Sequence, residues 1–372
     1  MGTNNKQEAY WVDELGVKYT KDKTCLLQAP MGLKCYTVYH GTKIIGDNAF
    51  YISKIESIIL PNGLTCIGNA AFCGCANLKE IKLPDTLTEI GEGAFCGCPF
   101  EYISIPNDIT IIRQDTFYGC TSLKSINLPN NLHKIGKDAF KSCWSLNSVN
   151  IPQSIDCIEE GAFSFCKSLL SLELPSCVNT IGNGIIEGCT SLESIIVDPN
   201  NKIYKSEDSN CVIERKGNVV IAGCNKTKIP SSIEVIGHSA FKNCTNLIEI
   251  VIPQGVKTIE IDAFRYCTNL RRLQFPSSLI KIGSYAFSEC EKITSISISS
   301  RKIKIDDVAF RNCTSLNTIH FDTIFPNISF CAFNGCTSLS SIIVPKTDDL
   351  FLVGVYRRQL NRWKKIIREK LS

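Results

Sequence analysis

Ile-Pro-Ser-Ser-Ile-Glu-Val-Ile-Gly-His-Ser-Ala-Phe-Lys-Asn-Cys-Thr-Asn-Leu, residues 229–247, is one copy of a motif that recurs along most of the chain. Its cysteine returns every 22 or 23 residues, in two runs separated by one longer gap. These motif cysteines are Cys75, Cys98, Cys120, Cys143, Cys166, Cys189, Cys244, Cys267, Cys290, Cys313 and Cys336. A strict period in the twenties is typical of a solenoid, in which each repeat buries its apolar face only by stacking on its neighbours.

Each repeat contains a short predicted strand, as in Leu-Lys-Glu-Ile-Lys-Leu, which ends at Leu83. Apolar and polar side chains alternate there, so that Ile81 and Leu83 point inward and leave the intervening polar side chains outside. The outward positions are Glu80 and Lys82. Pro84 follows and has no amide donor, which ends the strand. Stacked copies of this strand predict a long parallel sheet along one side of the solenoid.

The Gly-x-x-Ala-Phe-x-x-Cys part of the motif predicts a corner followed by a core-filling turn. Gly91 permits a tight corner, and the segment from Ala94 to Cys98 suits one helical or 3-10 turn that places Phe95 in the core. We therefore predict an α/β repeat protein of about 13 units, with short parallel strands joined by short helical or 3-10 turns.

Two segments of the chain depart from the simple repeat. The unit that begins at Val197 is longer, and residues 211–222 read as two strands joined by a glycine-containing turn. Residues 12–27 repeat this design near the N-terminus. The predicted organisation is a hairpin cap over 1–37, a solenoid over 38–345 and a basic amphipathic capping helix over 346–372. Within the solenoid, the hairpin-bearing unit at 197–228 divides two blocks.

The positive charge is concentrated at the C-terminus. Residues 350–372 contain seven Lys or Arg and one Glu, so their charge of +6 leaves −2 of the net +4 for the rest of the chain. The repeats therefore lack the basic field that nucleic-acid binding requires. Apolar side chains at helical spacing in 350–371 fit a terminal cap, or a helix for an anionic membrane surface or a partner's groove.

The sequence leaves the cell compartment open. No apolar run approaches the ~20 residues of a membrane-spanning helix. Residues 1–16 lack the charged start and apolar core of a signal peptide. A cytoplasmic protein and a surface protein whose signal has been removed both agree with this pattern.

The motif cysteines are predicted to be reduced and buried, because each lies between Phe and Leu and free cysteine behaves as a small hydrophobe. Cys73 and Cys96 differ, since each lies two residues before a motif cysteine and they are one repeat apart. Stacking brings them together and leaves three states open. They are free thiols, a disulfide, or a four-sulfur zinc site shared with Cys75 and Cys98.

The sequence shows no catalytic constellation. The histidines are scattered over different repeats, at His40, His133, His238 and His320. No phosphate-binding glycine loop or serine elbow is present. We expect no catalytic, cofactor-binding or metal-binding residue and no cofactor.

The outward strand positions form the surface where we expect a partner to bind. Serine dominates these positions, and the Trp, Tyr and Arg typical of binding hot spots are rare. The candidate partner surface comprises Glu80, Lys82, Tyr102, Glu249, Arg272 and His320.

The motif Leu-Pro-x-x-Leu-x-x-Ile-Gly-x-x-Ala-Phe-x-x-Cys-x-x-Leu-x-x-Ile closely resembles the BspA-like class of leucine-rich repeats, over roughly residues 12–345. The resemblance implies a right-handed leucine-rich-repeat solenoid. It also implies relatives that are often surface proteins binding host matrix proteins, other cells or carbohydrate-rich surfaces.

The resulting functional expectation is a non-enzymatic interaction protein, of the cell-surface or adhesion type, whose extended surface binds a protein or another macromolecule. One alternative is a metal- or thiol-dependent enzyme that uses the cysteine clusters. Another is a structural surface component that self-associates.

Overall fold

The computed structural model describes residues 10–207, 210–300, 302–322 and 327–343, together with Asn361. The chain forms two compact units. Unit 1 comprises Met1–Leu169 and Pro175–Ile185, and unit 2 comprises Leu170–Leu174 and Ile186–Ser372. The predicted capping helix over 346–372 lies outside the described residues, apart from Asn361, which is helical. Within the described part we find no helix with the length and apolarity that crossing a membrane requires.

Strands from the Leu-x-x-Ile-x-Leu part of the motif make up what we call the first face. In unit 1 they are β4 Cys35–Thr37, β6 Ser57–Ile59, β9 Tyr102–Ser104 and β11 Ser125–Asn127. In unit 2 they are β14 Ser171–Leu174, β16 Ser194–Val197, β21 Glu249–Val251, β23 Arg272–Gln274, β25 Ser295–Ile298, β27 Thr318–Phe321 and β29 Ser341–Ile343. Paired strands run parallel and one repeat apart in register, as in Ile103 opposite Ile126.

The first face is a series of short sheets, so the predicted long sheet is wrong. β4 pairs with β6, β9 with β11, β14 with β16, β21 with β23, and β25, β27 and β29 pair in turn. Residues 79–83, which follow β6 and precede β9, form no strand, and their main-chain groups make no main-chain hydrogen bond within the described residues. The next repeat is one residue shorter between Cys98 and Tyr102, which changes where β9 begins relative to this 79–83 segment.

A second row of two-residue strands, the second face, comes from the x-Ile pair of the motif. In unit 1 these are β5 Ile44–Ile45, β7 Cys66–Ile67, β8 Glu89–Ile90, β10 Ile111–Ile112, β12 Lys134–Ile135, β13 Cys157–Ile158 and β15 Thr180–Ile181. In unit 2 they are β20 Val235–Ile236, β22 Thr258–Ile259, β24 Lys281–Ile282, β26 Lys304–Ile305 and β28 Asn327–Ile328. The sequence indicated only a corner here, but these strands form the longer sheets of the molecule.

Antiparallel strands precede the second-face strands in each unit. They are β1 Tyr10–Val12, β2 Lys18–Thr20 and β3 Cys25–Gln28 in unit 1, and β17 Tyr204–Lys205, β18 Cys211–Glu214 and β19 Val219–Gly223 in unit 2. β3 then pairs in parallel with β5, and β19 pairs in parallel with β20. The buried hydroxyl of Tyr19 lies 2.6 Å from that of Tyr36, which ties β2 to the first face. The roles of these hairpins as a cap and as a block boundary stay predictions.

The Ala-Phe part of the motif is a chain of turns, and the predicted helical or 3-10 turn is absent from the described repeats. The N–H groups of Gly93, Phe95 and Gly97 donate to carbonyls of the next repeat, at 2.9, 3.0 and 2.7 Å. The N–H groups between them donate to the carbonyl three residues back. Gly93 and Gly97 have φ values of 59° and 71°, which lie outside the helical region. The backbone alternates because every second donor is needed to hold the next repeat.

The phenylalanines of the motif stack on one another through the core. In unit 1 the rings of Phe50, Phe72, Phe95, Phe117, Phe140 and Phe163 lie 5.0 to 5.7 Å apart between centroids. In unit 2 Phe241, Phe264, Phe287, Phe310 and Phe333 form a second stack at 4.9 to 5.2 Å. Each ring closes the apolar face of the neighbouring repeat, which is how stacking replaces a globular core.

The predicted burial of the motif cysteines is confirmed, and the structure gives it a second reason. All of them are buried. The Cys98 thiol donates to the carbonyl of Phe72 at 3.1 Å, and the Cys120 thiol donates to that of Phe95 at 3.1 Å. The same bond recurs in unit 2, for instance from Cys267. A side chain at this position must be small, apolar and able to donate one weak hydrogen bond, which describes cysteine.

The phenylalanine stacks predict which repeats lose hydrogen-exchange protection when one phenylalanine is replaced by alanine. Phe241→Ala should cost about 3–5 kcal/mol and should reduce hydrogen-exchange protection over residues 229–344 more than over residues 38–174. Phe140→Ala is the matched control and should show the opposite distribution. Equal loss of protection in both ranges for either variant would contradict a block boundary at the longer hairpin-bearing unit.

The buried thiols predict a loss of stability at alkaline pH. Burial raises the pKa of Cys75 from 9.0 to about 12, so the folded chain keeps a proton that the unfolded chain releases. The contribution of this thiol is fully present below pH 9 and is lost as the pH rises from 9 towards 12. Urea unfolding in reductant at pH 8 to 10.5 should show a falling free energy of unfolding. Cys75→Ala should make that fall less steep, by up to about 1.4 kcal/mol per pH unit, and an unchanged slope would argue against this assignment.

Candidate binding surface

A groove in unit 1 opens where the first face is interrupted. It has a volume of about 890 Å³ and is lined by residues of β6, the 79–83 segment and β9. We call it the Tyr102 groove, because the side chain of Tyr102 is 55% exposed there. Ile59, on its β6 side, is 65% exposed. The groove thus presents two apolar side chains to solvent beside polar main chain.

The interruption of main-chain pairing explains the shape of the groove. In the intact pair of β9 and β11, the Lys124 N–H donates to the Glu101 carbonyl at 2.9 Å. The corresponding carbonyl of Glu56 receives no main-chain bond from the 79–83 segment within the described residues. Ile81 is accordingly half-buried, whereas Ile103 at the same position of β9 is buried.

The charges of the Tyr102 groove are mixed. The Glu101 carboxylate accepts a hydrogen bond from the Lys124 ammonium at 2.8 Å, and this bond lowers the pKa of Glu101. The groove is also lined by Lys79, Glu80 and Lys82. Because neither sign dominates, the groove favours a partner that offers hydrogen bonds and apolar contact over a strongly charged one.

Three of the predicted partner residues come together in this groove. Glu80, Lys82 and Tyr102 all line it. Glu80 and Lys82 belong to the 79–83 segment and are exposed, and Tyr102 begins β9. The alternation of the strand positions places all three side chains on the outer side of adjacent repeats, and the interruption of main-chain pairing brings them around one opening.

Two further predicted residues lie together in unit 2. Glu249 and Arg272 are directly opposite one another on β21 and β23. The Arg272 Nη1 and Glu249 Oε2 atoms are 3.7 Å apart, in side chains that are 84% and 66% exposed. Both residues line a second groove of about 730 Å³, together with Lys226 and Arg271. An ion pair so exposed contributes little to stability, which leaves both groups available.

His320 lies apart from both of these groups. It is half-buried on β27, where its register partners are Ser297 and Ile343. It lines neither the Tyr102 groove nor the groove at Arg272. The six predicted residues therefore divide into a group of three, a pair and a single residue.

The predicted partner residues leave out the apolar side chains of these surfaces. Ile59 ends β6, and Val251 ends β21 with 73% exposure. The strand alternation places both outward, but an exposed isoleucine or valine is too common to mark a site by itself. The 22-residue spacing from Cys98 to Cys120 was the signal for the groove itself.

The cysteine clusters do not form a metal site in the described residues. No group of three or more His, Cys, Asp or Glu side chains there is arranged to hold a metal ion. The thiols of Cys75 and Cys98 donate to the carbonyls of Phe50 and Phe72, so they face the core. Cys73 and Cys96 are half-buried at the surface. The four sulfurs therefore point in two directions, and the four-sulfur arrangement weighed from the sequence is absent.

Comparison with known families agrees with the repeat geometry. The model of the BspA type leucine rich repeat region matches residues 43–156, 88–214 and 234–351. The chain belongs to the BspA-type leucine-rich-repeat family. Among curated proteins, none matches the chain.

Solved structures show the same fold along almost the whole chain. A leucine rich cell surface protein from Faecalibacterium prausnitzii is 25% identical with a TM-score of 0.77, and the match covers 95% of this chain and 97% of that one. A leucine-rich repeat protein from Bacteroides ovatus is 25% identical with a TM-score of 0.61, over 94% and 88% of the two chains. The pneumococcal vaccine antigen PcpA is 17% identical with a TM-score of 0.62, over 93% and 88%, and its likeness concerns the fold alone.

The exposed ion pair leads to a prediction about stability. Glu249→Ala should change the free energy of unfolding by less than about 0.5 kcal/mol, because exposed ion pairs are screened by solvent. Chemical denaturation of the variant and of the wild type measures this difference. A loss above about 1 kcal/mol would show that the pair has a structural role and is not free for a partner.

Proposed function

We propose that this BspA-type repeat protein is a non-enzymatic interaction protein that binds a macromolecular partner on its first face, at the Tyr102 groove. The observation that carries the proposal is the gathering of Glu80, Lys82 and Tyr102 around one opening in the first face. The exposed Tyr102 ring supplies the kind of rigid amphipathic contact on which binding energy usually concentrates.

The composition of the groove supports a macromolecular partner over a small molecule. Small-molecule sites are mostly apolar and enclose their ligand, whereas this groove is open and is lined by polar and apolar groups in about equal measure. A partner that covers such an opening needs contacts on the neighbouring strands as well. The solenoid offers those contacts on the adjacent repeats of unit 1.

The similar proteins support a location at the cell surface. The leucine rich cell surface protein from Faecalibacterium prausnitzii matches this chain over nearly its full length. We propose by this likeness that the present chain also acts at a cell surface, in an adhesive contact with a protein or another macromolecule. Nucleic acid is not the proposed partner, because the repeats lack a basic field.

The test uses an array of immobilised extracellular-matrix proteins and glycans, probed with the full chain. We expect binding to at least one component, and Tyr102→Ala should weaken that binding by about tenfold or more, as hot-spot truncation does. Tyr51→Ala is the matched control, because Tyr51 is 48% exposed but lies outside the groove. It should bind like the wild type.

Charge-reversal variants test whether the partner binds at the Tyr102 groove or elsewhere on the first face. Lys82→Glu should alter binding to the same array component, whereas Arg272→Glu in unit 2 should leave it unchanged. The proposal fails if no array component binds the chain. It also fails if the Tyr102 and Lys82 variants bind as the wild type does.

A further inference from the structure

Cys73 and Cys96 occupy the same position of consecutive repeats, directly after Phe72 and Phe95. The repeats touch closely there: the Gly74 N–H donates to the Cys96 carbonyl at 2.7 Å. A methyl group added at Gly97 would lie 3.9 Å from the Cα of Gly74. The Cys73 side chain lies near enough to raise the pKa of the Cys96 thiol, and both residues are half-buried, so they are accessible from solvent.

No other half-buried cysteine of the described residues has such a neighbour. Cys25 and Cys66 share a column of the second face, but Ile44 lies between them. Cys157 has Lys134 and Thr180 as its register partners. Cys331 contacts the carboxylate of Asp307. The motif cysteines are buried, and most have their thiols bonded to phenylalanine carbonyls.

The chain between Cys73 and Cys96 contains a weakly held part of the first face. The 79–83 segment lies within it and has no main-chain hydrogen bond to the described residues. A covalent link between the two ends of this stretch would restrict its opening, because closing a loop removes conformational freedom from the open state. The thiol pair therefore lies on either side of a segment whose opening a link would restrict.

We propose that Cys73 and Cys96 form a reversible modification site, at which exchange with a low-molecular-weight disulfide cross-links consecutive repeats of unit 1. The geometry of adjacent repeats suits this bond, since disulfides join Cα atoms about 4.4–6.8 Å apart and neighbouring strands are about 4.8 Å apart.

The exchange proceeds in two balanced steps. One protein thiolate attacks a sulfur of the small disulfide, forms a mixed disulfide and releases one small thiolate. The second protein thiolate then attacks the protein sulfur of that mixed disulfide and releases the second small thiolate. Two protein sulfurs are oxidised, one small disulfide is reduced, and the two protons leave on the two small thiols.

The order of the two steps follows from the surroundings of Cys96. Burial, Cys73 and Asp115 raise the pKa of Cys96 above its usual value, so its thiolate is scarce at neutral pH. We place Cys96 in the second step, where the mixed disulfide is already beside it and proximity compensates for the small thiolate fraction.

The experiment exposes the full native chain to oxidised glutathione and then alkylates the remaining thiols for peptide mass spectrometry. We expect a Cys73–Cys96 cross-link, seen as joined peptides whose mass is lower by two hydrogens. The exposed Cys35 and Cys177 should carry glutathione in the same sample. They serve as an internal control that the oxidant was active.

Single substitutions identify the pair. Cys73→Ser and Cys96→Ser should each abolish the cross-link, whereas Cys66→Ser, at a half-buried cysteine without a neighbouring thiol, should retain it. Thermal melting confirms that each variant is folded. The proposal is overturned if Cys35 and Cys177 carry glutathione while Cys73 and Cys96 stay reduced. Glutathione carried separately by both of them would overturn it equally.

Hydrogen exchange tests the consequence of the link. In the cross-linked protein the amides of Phe72 and Gly74, which donate to the Ala94 and Cys96 carbonyls, should exchange more slowly than in the reduced protein, while those of β25 and β27 in unit 2 should not change. Unchanged exchange at Phe72 and Gly74 would overturn the idea that the link restrains these repeats. Because no partner is needed, the outcome is independent of binding at the Tyr102 groove.

Discussion

The fold depends on one constraint: a repeat of 23 residues cannot bury its own apolar face, so every repeat must be held against the next. The Ala-Phe turns meet this constraint because their backbone N–H groups serve two purposes. Alternate N–H groups bond within the turn and across to the next repeat, as Phe95 does with the carbonyl of Thr116 at 3.0 Å. The phenylalanine rings stack beneath them, and the motif thiols bond to the phenylalanine carbonyls. A helix would use all its donors internally and could not hold the neighbouring repeat in this way.

Because the turns and the phenylalanine stacks hold the repeats together, the first face contributes comparatively little to the stability of the solenoid. The longer sheets lie on the second face, and the turns bond each repeat to the next, so an interruption on the first face at residues 79–83 is tolerated. The outward side chains there are also free to vary, because none of them packs in the core. A binding surface can therefore occupy the first face at little cost to the solenoid, which agrees with the position of the Tyr102 groove.

The cysteines divide by the same logic into structural thiols and accessible thiols. A motif thiol such as that of Cys98 is buried, donates to a carbonyl and has a pKa raised well above its usual value by burial. Reactivity requires access to solvent as well as the thiolate, and the motif thiols lack that access. Cys73 and Cys96 lie two residues before a motif cysteine, where the chain turns outward. A shift of two positions along the motif therefore distinguishes a buried thiol that packs in the core from one that solvent can reach.

The sequence by itself determined the repeat, its parallel strands, the buried cysteines and the outward positions, because each depends on local spacing that recurs many times. Three features were decided only by the tertiary structure. Whether Gly93 and Phe95 adopt a helical turn depends on the demand of the next repeat for their donors. Whether the first face is interrupted at the Tyr102 groove depends on the register between the 79–83 segment and β9. Glu80, Lys82 and Tyr102 share a groove because that register fails between two particular repeats, while Glu249, Arg272 and His320 lie elsewhere. A single motif describes the average repeat, whereas a site arises where one repeat departs from it.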